Sequence, residues 1–234
     1  MSPEKIIFGL DEAGRGALAG PLVAAAACLT LPQKQIEKEA NAPIRDSKKL
    51  TALQRNRLFT TIVNLNLPTH IATISARQIN TRGIGWANKQ VFLSLITQIS
   101  KDQELRTKNL KFIVDGNLKL RTDLIGHPGG SETTDRISSN QKKVLSLRSR
   151  MTKIIIQSIP HADADFPEVS LAAIVAKVTR DSYMHELHLD FPHYCWNTNV
   201  GYGTRDHIAA LSSHGPCPHH RKVFVSSALN KLNA

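Results

Sequence analysis

The stretch Gly9-Leu10-Asp11-Glu12-Ala13-Gly14-Arg15-Gly16 decides how the chain is read. It follows the apolar run Ile6-Ile7-Phe8 and precedes a second one, Pro21 to Leu31. Two adjacent carboxylates at the end of a core strand are costly, because charge beside a core loses its hydration. Either a cation or basic side chains must compensate them, and a divalent metal is the expectation carried into the rest of the chain. Gly14, Gly16 and Gly20 permit a turn of unusual backbone shape. Leu22 to Leu31 is nearly all small or apolar, the makeup of a strand covered on both faces. The short connection favours antiparallel pairing of these two strands.

Outward from there, strands and helices alternate. Pro32 to Pro43 is polar and reads as a loop. Apolar spacing predicts helices near Thr51–Asn64, Ile84–Ser100 and Glu168–Leu189, and a shorter one from the N-cap Thr204 to Leu211. In the long third helix Leu171, Ile174, Val175 and Val178 form the apolar stripe, with Lys177, Arg180 and Asp181 outside it. Short apolar runs predict strands at Lys5–Leu10, His70–Ser75, Phe112–Val114 and Lys153–Ile159. Residues 118–151 are poor in apolar residues and rich in turn formers, as in an exposed insertion. The alternation predicts one α/β layered domain over residues 1–234, with a helical C-terminal portion.

Thirty Lys and Arg against 19 Asp and Glu leave a net charge of +11, which favours a polyanionic partner such as nucleic acid. No apolar run approaches bilayer length, so no membrane partner is expected. Cys28, Cys195 and Cys217 cannot all pair with one another, and a cytoplasmic protein is the simplest account. Cys195, Cys217, His193, His214, His219 and His220 crowd the last third, yet their spacing fits no compact zinc pattern.

Four acids fall at or near strand ends: Asp11, Glu12, Asp115 and Asp163. Mg²⁺ and Mn²⁺ prefer hard oxygen ligands, and acids gathered from separate strands are one way a fold builds such a site. Ions held there can activate water and stabilise the leaving oxygen of a phosphodiester. Solvated loop acids are the competing reading, stronger for Asp115 and Asp163 than for the glycine-flanked pair.

Taken with four later stretches, Gly9 to Pro21 resembles the opening signature of bacterial ribonuclease HII. The later stretches are Asp46-Ser47-Lys48-Lys49-Leu50, Val114-Asp115-Gly116-Asn117, Ala176 to Asp181, and Gly201-Tyr202-Gly203-Thr204 with His207 and His220-Arg221. The resemblance implies a ribonuclease H-like mixed sheet flanked by helices. It implies cleavage of the RNA strand of RNA–DNA hybrids, and nicking 5′ to single ribonucleotides in duplex DNA, leaving 5′-phosphate and 3′-hydroxyl ends. It implies that Asp11, Glu12, Asp115 and Asp163 hold Mn²⁺ or Mg²⁺ in a monomeric enzyme. Gly14-Arg15-Gly16 resembles the family's ribonucleotide sensor, and Tyr202 the tyrosine that packs on the neighbouring deoxyribose. Ser47, Lys48 and Lys49 are expected to meet the nucleic-acid backbone.

Three positions depart from the family pattern. His161-Ala162 stands where Lys-Gly is usual, Ala173 replaces a serine, and Val200 replaces a lysine. The competing readings are a ribonuclease HIII-like enzyme and a non-catalytic nucleic-acid-binding protein. The first is disfavoured by the Gly-Arg-Gly sensor, and the second rests on charge alone.

Overall fold

The computed structural model describes residues 5–102, 104–105, 108–118, 132–133, 143–148 and 153–231. Seven strands form one sheet: β1 (Lys5–Ala13), β2 (Leu22–Cys28), β3 (Thr69–Ile74), β4 (Asn109–Asp115), β5 (Glu132–Thr133), β6 (Lys143–Arg148) and β7 (Lys153–Ile159). Their spatial order is β3-β2-β1-β4-β7-β6-β5. β1, β4 and β7 run parallel at the centre, and the remaining pairings are antiparallel, so the sheet is mixed.

Eight helices accompany it: α1 (Gln33–Ala40), α2 (Ala52–Asn64), α3 (Ala76–Arg82), α4 (Ile84–Ser100), α5 (Pro167–Asp190), α6 (Trp196–Asn199), α7 (Arg205–His214) and α8 (Lys222–Asn230). Strand alternation sorts the two faces. Phe8, Leu10, Phe112, Val114, Ile154 and Ile156 pack with α4 on one face. Ala25 and Ala27 point the other way, onto α1, α2 and α5. A third cluster joins α5 to the C-terminal helices around Tyr194 and Trp196. Among the described residues no helix is long and apolar enough to cross a membrane.

Several sequence expectations change here. The first strand does not stop at Leu10. It continues through Asp11 and Glu12, because Ala25 and Ala24 of β2 pair with them and offer small side chains that leave the carboxylates room. Pro32 to Pro43 is not a loop throughout, since α1 forms on only two buried apolar residues, Ile36 and Ala40. Glu37 holds it to the next segment by accepting from the Gln33 side chain and from the Ile44 amide. The chain after β3 turns at once into α3, whose Ser75 and Gln78 form a reciprocal capping box. The insertion expected over 118–151 lies largely outside the described residues; within it β6 pairs with β7 and carries β5.

α5 can lie against the sheet because Gly9 has no side chain. A Cβ there would overlap the backbone of Glu168 and Val169 at the helix start. Gly9→Ala must therefore shift α5 or β1, and overpacking of this kind costs about 1–3 kcal/mol or more. Urea unfolding of Gly9→Ala is expected to show a loss in or above that range.

Candidate active site

The parallel register of β1 and β4 sets the geometry. Its last paired step is Leu10 with Val114, so the next step along each strand brings Asp11 and Asp115 to neighbouring positions. Adjacent strands are about 4.8 Å apart. On its other side β4 still pairs Asp115 with Ile159 of β7. The Ala162 amide then donates to Asp115 Oδ1 at 2.8 Å, which ties down the single helical turn Ala162–Ala164 carrying Asp163. The Ser170 hydroxyl donates to the Asp163 carbonyl at 2.8 Å and anchors the same turn to α5. Asp11, Glu12, Asp115 and Asp163 thus line one cleft of about 550 Å³.

The acids repel one another there. Burial, then Glu12 and then Asp115, raise the Asp11 carboxyl well above the usual carboxylate range. Burial raises Glu12, with Arg15 opposing from 3.8 Å. Burial and then Asp115 raise Asp163. Carboxylates that resist ionisation together are ones a cation would relieve. The donor set fits a hard divalent ion: four carboxyl groups, with Asp11 accepting a hydrogen bond only from the Glu12 amide at 2.8 Å. Among the described residues no three acids, histidines or cysteines converge closely enough to hold a metal ion as they stand, so the carboxyl groups would have to draw together around one. An open half-shell is compatible with ions of the Mg²⁺ type, which take one or two carboxylates and complete their shell with water and substrate phosphate.

The rest of the lining is basic and backbone. Gly14, Arg15, Gly16, Ser47, Lys48 and Tyr202 reach the cleft as the sequence predicted, whereas Lys49 does not. Ser47–Lys49 form one tight helical turn, capped by Asp46 Oδ1 accepting from the Lys48 amide, which sends Lys49 out to solvent. Asp46, Arg55, Ala173 and Lys177 also line the cleft. Lys177 was read only as lying off the apolar stripe of α5. Its ammonium bonds Asp181 at 2.9 Å and lies 5.7 Å from the centre of the Tyr202 ring.

Two buried arginines hold the turn that carries the glycines. Arg180, expected outside the packed face of α5, is fully buried and donates to the carbonyls of Pro21, Ala19 and Val200. Its guanidinium also sits 5.2 Å from the centre of the Tyr202 ring. Arg221 donates to the carbonyls of Gly20 and Arg15. Neither makes an ion pair with a carboxylate among the described residues, so carbonyl dipoles and the faces of Tyr202 and Phe224 stand in for their hydration. Burial and then Arg180 push Arg221 down to about 9, which still leaves it charged at neutral pH. Val200 adopts φ 41°, a left-handed conformation rare for a β-branched residue, with its amide bonded to Trp196 and its carbonyl held by Arg180.

A histidine relay fixes the other side of Tyr202. The Cys217 amide donates to His220 Nδ1 at 3.0 Å, so neutral His220 carries its proton on Nε2. That nitrogen faces His207 Nε2 at 3.0 Å, which must accept, as it does from the Trp196 indole at 3.1 Å. His207 therefore carries its proton on Nδ1 and donates to the Tyr202 carbonyl at 2.9 Å. Both histidines are buried. Motif spacing pointed to both without showing that they form one directed chain.

Comparison with known proteins agrees with this geometry. The family model for Ribonuclease HII matches residues 8–227. Ribonuclease HII of Burkholderia thailandensis is 38% identical over 224 residues, spanning 96% of this chain and 85% of that protein. The Burkholderia mallei protein is 37% identical over the same shares. Among solved structures, RNase HII of Archaeoglobus fulgidus, in its complex with PCNA, superposes with a TM-score of 0.65 at 19% identity, covering 94% of each chain. Ribonuclease H2 from Pyrococcus horikoshii gives 0.64 at 22%, covering 97% of this chain and 99% of its own. Bst-RNase HIII in complex with Mn²⁺ gives 0.55 at 18%, covering 98% of this chain and 70% of its own, a likeness of fold.

The relay makes stability depend on pH. Burial, then His207, push His220 down to about 4, and burial also lowers His207. Below pH ~6.5 the unfolded chain binds protons that the folded relay refuses. Stability is full above that pH and falls as pH drops toward 4, by up to about 1.4 kcal/mol per pH unit for each proton. Urea unfolding between pH 6.5 and 4.5 should show this slope, and His220→Gln should flatten it.

Proposed function

The chain belongs to the ribonuclease HII family, and from that premise we propose that it cleaves RNA–DNA hybrids and nicks duplex DNA 5′ to single embedded ribonucleotides. As a member of that family it is a metal-dependent endonuclease of the ribonuclease H class. The observation that carries the finer reading is one cleft lined at once by Asp11, Glu12, Asp115 and Asp163, by the Gly14–Gly16 turn and by Tyr202.

In this proposal Asp11, Glu12, Asp115 and Asp163 hold a divalent cation of the Mn²⁺ or Mg²⁺ class. When bound, such an ion polarises the scissile phosphate, acidifies water and stabilises the leaving oxygen, giving 5′-phosphate and 3′-hydroxyl ends. The protein's own groups do the positioning. Arg15, exposed beside Glu12, is placed to take a phosphate bidentately. Ser47 and Lys48 contact the backbone of the bound strand from the turn opposite. Tyr202, held from below by Arg180 and from behind by His207, packs on the sugar beside the cut. The proposal extends to a single catalytic domain acting as a monomer in the cytoplasm, with 118–151 as an insertion.

The glycines of the turn support a sensor for the ribose 2′-hydroxyl. Gly14 has φ 89°, and a Cβ there would overlap the Arg180 guanidinium, so the fold itself requires glycine. Gly16 has no such requirement: a Cβ there would meet nothing within 4 Å. Glycine at that place makes sense if a ligand must come against the backbone.

Gly16→Ala is expected to change stability by less than about 0.5 kcal/mol, as an unstrained substitution does, while raising KM for a ribonucleotide-containing duplex. Equal KM for both proteins would remove the sensor role. Asp11→Asn is expected to stay folded by circular dichroism and to lose nicking by more than about a hundredfold, since even outer partners of a metal site are worth that much. Nicking of a duplex carrying one ribonucleotide should stop with EDTA and return with Mn²⁺ or Mg²⁺.

A further inference from the structure

A second basic feature lies outside the cleft. From Ser47 to Lys101 the chain carries Lys48, Lys49, Arg55, Arg57, Arg77, Arg82, Lys89 and Lys101 with no Asp or Glu. A net +8 of the protein's +11 therefore falls between Ser47 and Lys101, five of those charges on α2, α3 and α4. Lys48 and Arg55 of this stretch line the cleft. Arg77 and Arg82 line a separate groove of about 730 Å³, with Trp86 on its wall and Gln78, Gln90 and Ser94 among its polar groups. No carboxylate lines that groove.

The two arginines are exposed, and among the described residues neither makes an ion pair. The Arg82 guanidinium carbon lies 4.6 Å from the centre of the Trp86 ring. Stacking holds that planar cation in one orientation while its N–H edges stay free for phosphate oxygens. A solvated basic helix face would need neither the concave wall nor the indole.

The groove is fixed relative to the cleft. Leu22 pairs with Ile74, and Val23 with Ala13, so the end of β3 lies at the same edge of the sheet as the Asp11-Glu12 pair. β3 stands two strands from β1, about 10 Å away, well within one duplex turn of about 34 Å. Asn80 of α3 donates to the His220 carbonyl at 2.9 Å and accepts from the Lys222 amide at 2.8 Å. Arg221, between those two residues, bonds the Arg15 carbonyl. One hydrogen-bonded path therefore joins α3 to the Gly14–Gly16 turn.

We propose that Arg77, Arg82 and Trp86 form an accessory subsite for the sugar–phosphate backbone of the same nucleic-acid duplex that enters the cleft, gripping it away from the cut. This rests on the nucleic-acid substrate proposed above. The subsite supplies affinity and leaves the reacting atoms untouched.

The test compares wild type with Arg77→Ala/Arg82→Ala on two duplexes, each with one ribonucleotide. One spans about 30 base pairs around a central ribonucleotide, and the other ends about two base pairs (~7 Å) past the ribonucleotide on the α3 side, short of the ~10 Å to β3. Binding is read by fluorescence anisotropy in EDTA over a salt series, and cleavage separately in Mn²⁺. Each phosphate contact contributes about 0.9 to the slope of log K against log salt, so losing two should flatten the slope by roughly 2 on the long duplex. KM on the long duplex should rise about tenfold with kcat unchanged, and the short duplex should not distinguish the proteins. Trp86→Ala should weaken binding to the long duplex with a smaller change in slope. Lys34→Ala/Lys38→Ala, on α1 across the sheet, controls for net charge and should leave the slope near wild type. An unchanged slope on the long duplex, an equal change on the short one, or an equal effect of the α1 pair would each overturn the subsite. A wild type that binds with the expected slope but nicks neither duplex would instead overturn the function proposed above and leave the groove standing.

Discussion

The site depends first on the parallel register between β1 and β4. Leu10 opposite Val114 is the last paired step, and it makes Asp11 and Asp115 neighbours at the edge of a sheet packed with apolar side chains on its α4 face. A slip of one residue would turn one carboxylate into the α4 core and part the pair. The register is protected from both faces. Phe8 stacks on Phe112 across the same two strands, 5.9 Å between ring centres, and Gly9 lets the start of α5 press directly on β1. Burying apolar side chains along these strands stabilises a place where like charges are forced together.

Beyond the end of β1 the chain leaves the sheet, and cohesion there changes from apolar packing to hydrogen bonds. Arg180 and Arg221 reach from α5 and from the start of α8 to five carbonyls between Arg15 and Val200. A guanidinium suits this role because it carries five donors in one rigid plane and stays charged at neutral pH. The cost is two desolvated cations close together, seen in the lowering of Arg221 by burial and by Arg180. The histidine relay closes the same region from the other side without adding charge, since both imidazoles are held neutral.

What could be read from the sequence followed the physics of each signal. Ile84–Ser100 and Lys153–Ile159 were found at their observed bounds because apolar periodicity or a continuous apolar run marks them. α1 and α8 were missed because each is short, buries at most two residues and has no side-chain cap to mark its start. Asp11 and Glu12 stood out because acids at the end of an apolar run conflict with their surroundings, whereas Asp115 and Asp163 were set apart from solvated loop acids through the family resemblance. Arg180 was not, since a lone arginine beside an apolar stripe looks like a solvated one. Its burial follows from carbonyls contributed by residues about 20 and 160 positions away. Lys49 went the other way: its sequence context matches that of Lys48, and only the rotation of about 120° per residue in one tight turn separates them.

The Gly14–Gly16 turn sits between fields of opposite sign. Ahead of it stand carboxylates that repel a phosphodiester; behind it stand two guanidiniums with no carboxylate partner, and beside it Lys48 and Arg55. Without a cation the front half of the cleft opposes the same nucleic acid that the back half attracts. In the proposed reading a divalent ion among Asp11, Glu12, Asp115 and Asp163 would remove that opposition, and a substrate phosphate would supply an oxygen to its shell. Each ligand thereby lowers the cost of binding the other, and by linkage the effect is equal in both directions. The raised carboxyls of Asp11, Glu12 and Asp163 mark how far the free cleft is from electrostatic balance. On the proposed reading such a cleft would hold either partner weakly alone and both firmly together, so that the hydrolytic arrangement would not assemble on an ion or a strand by itself.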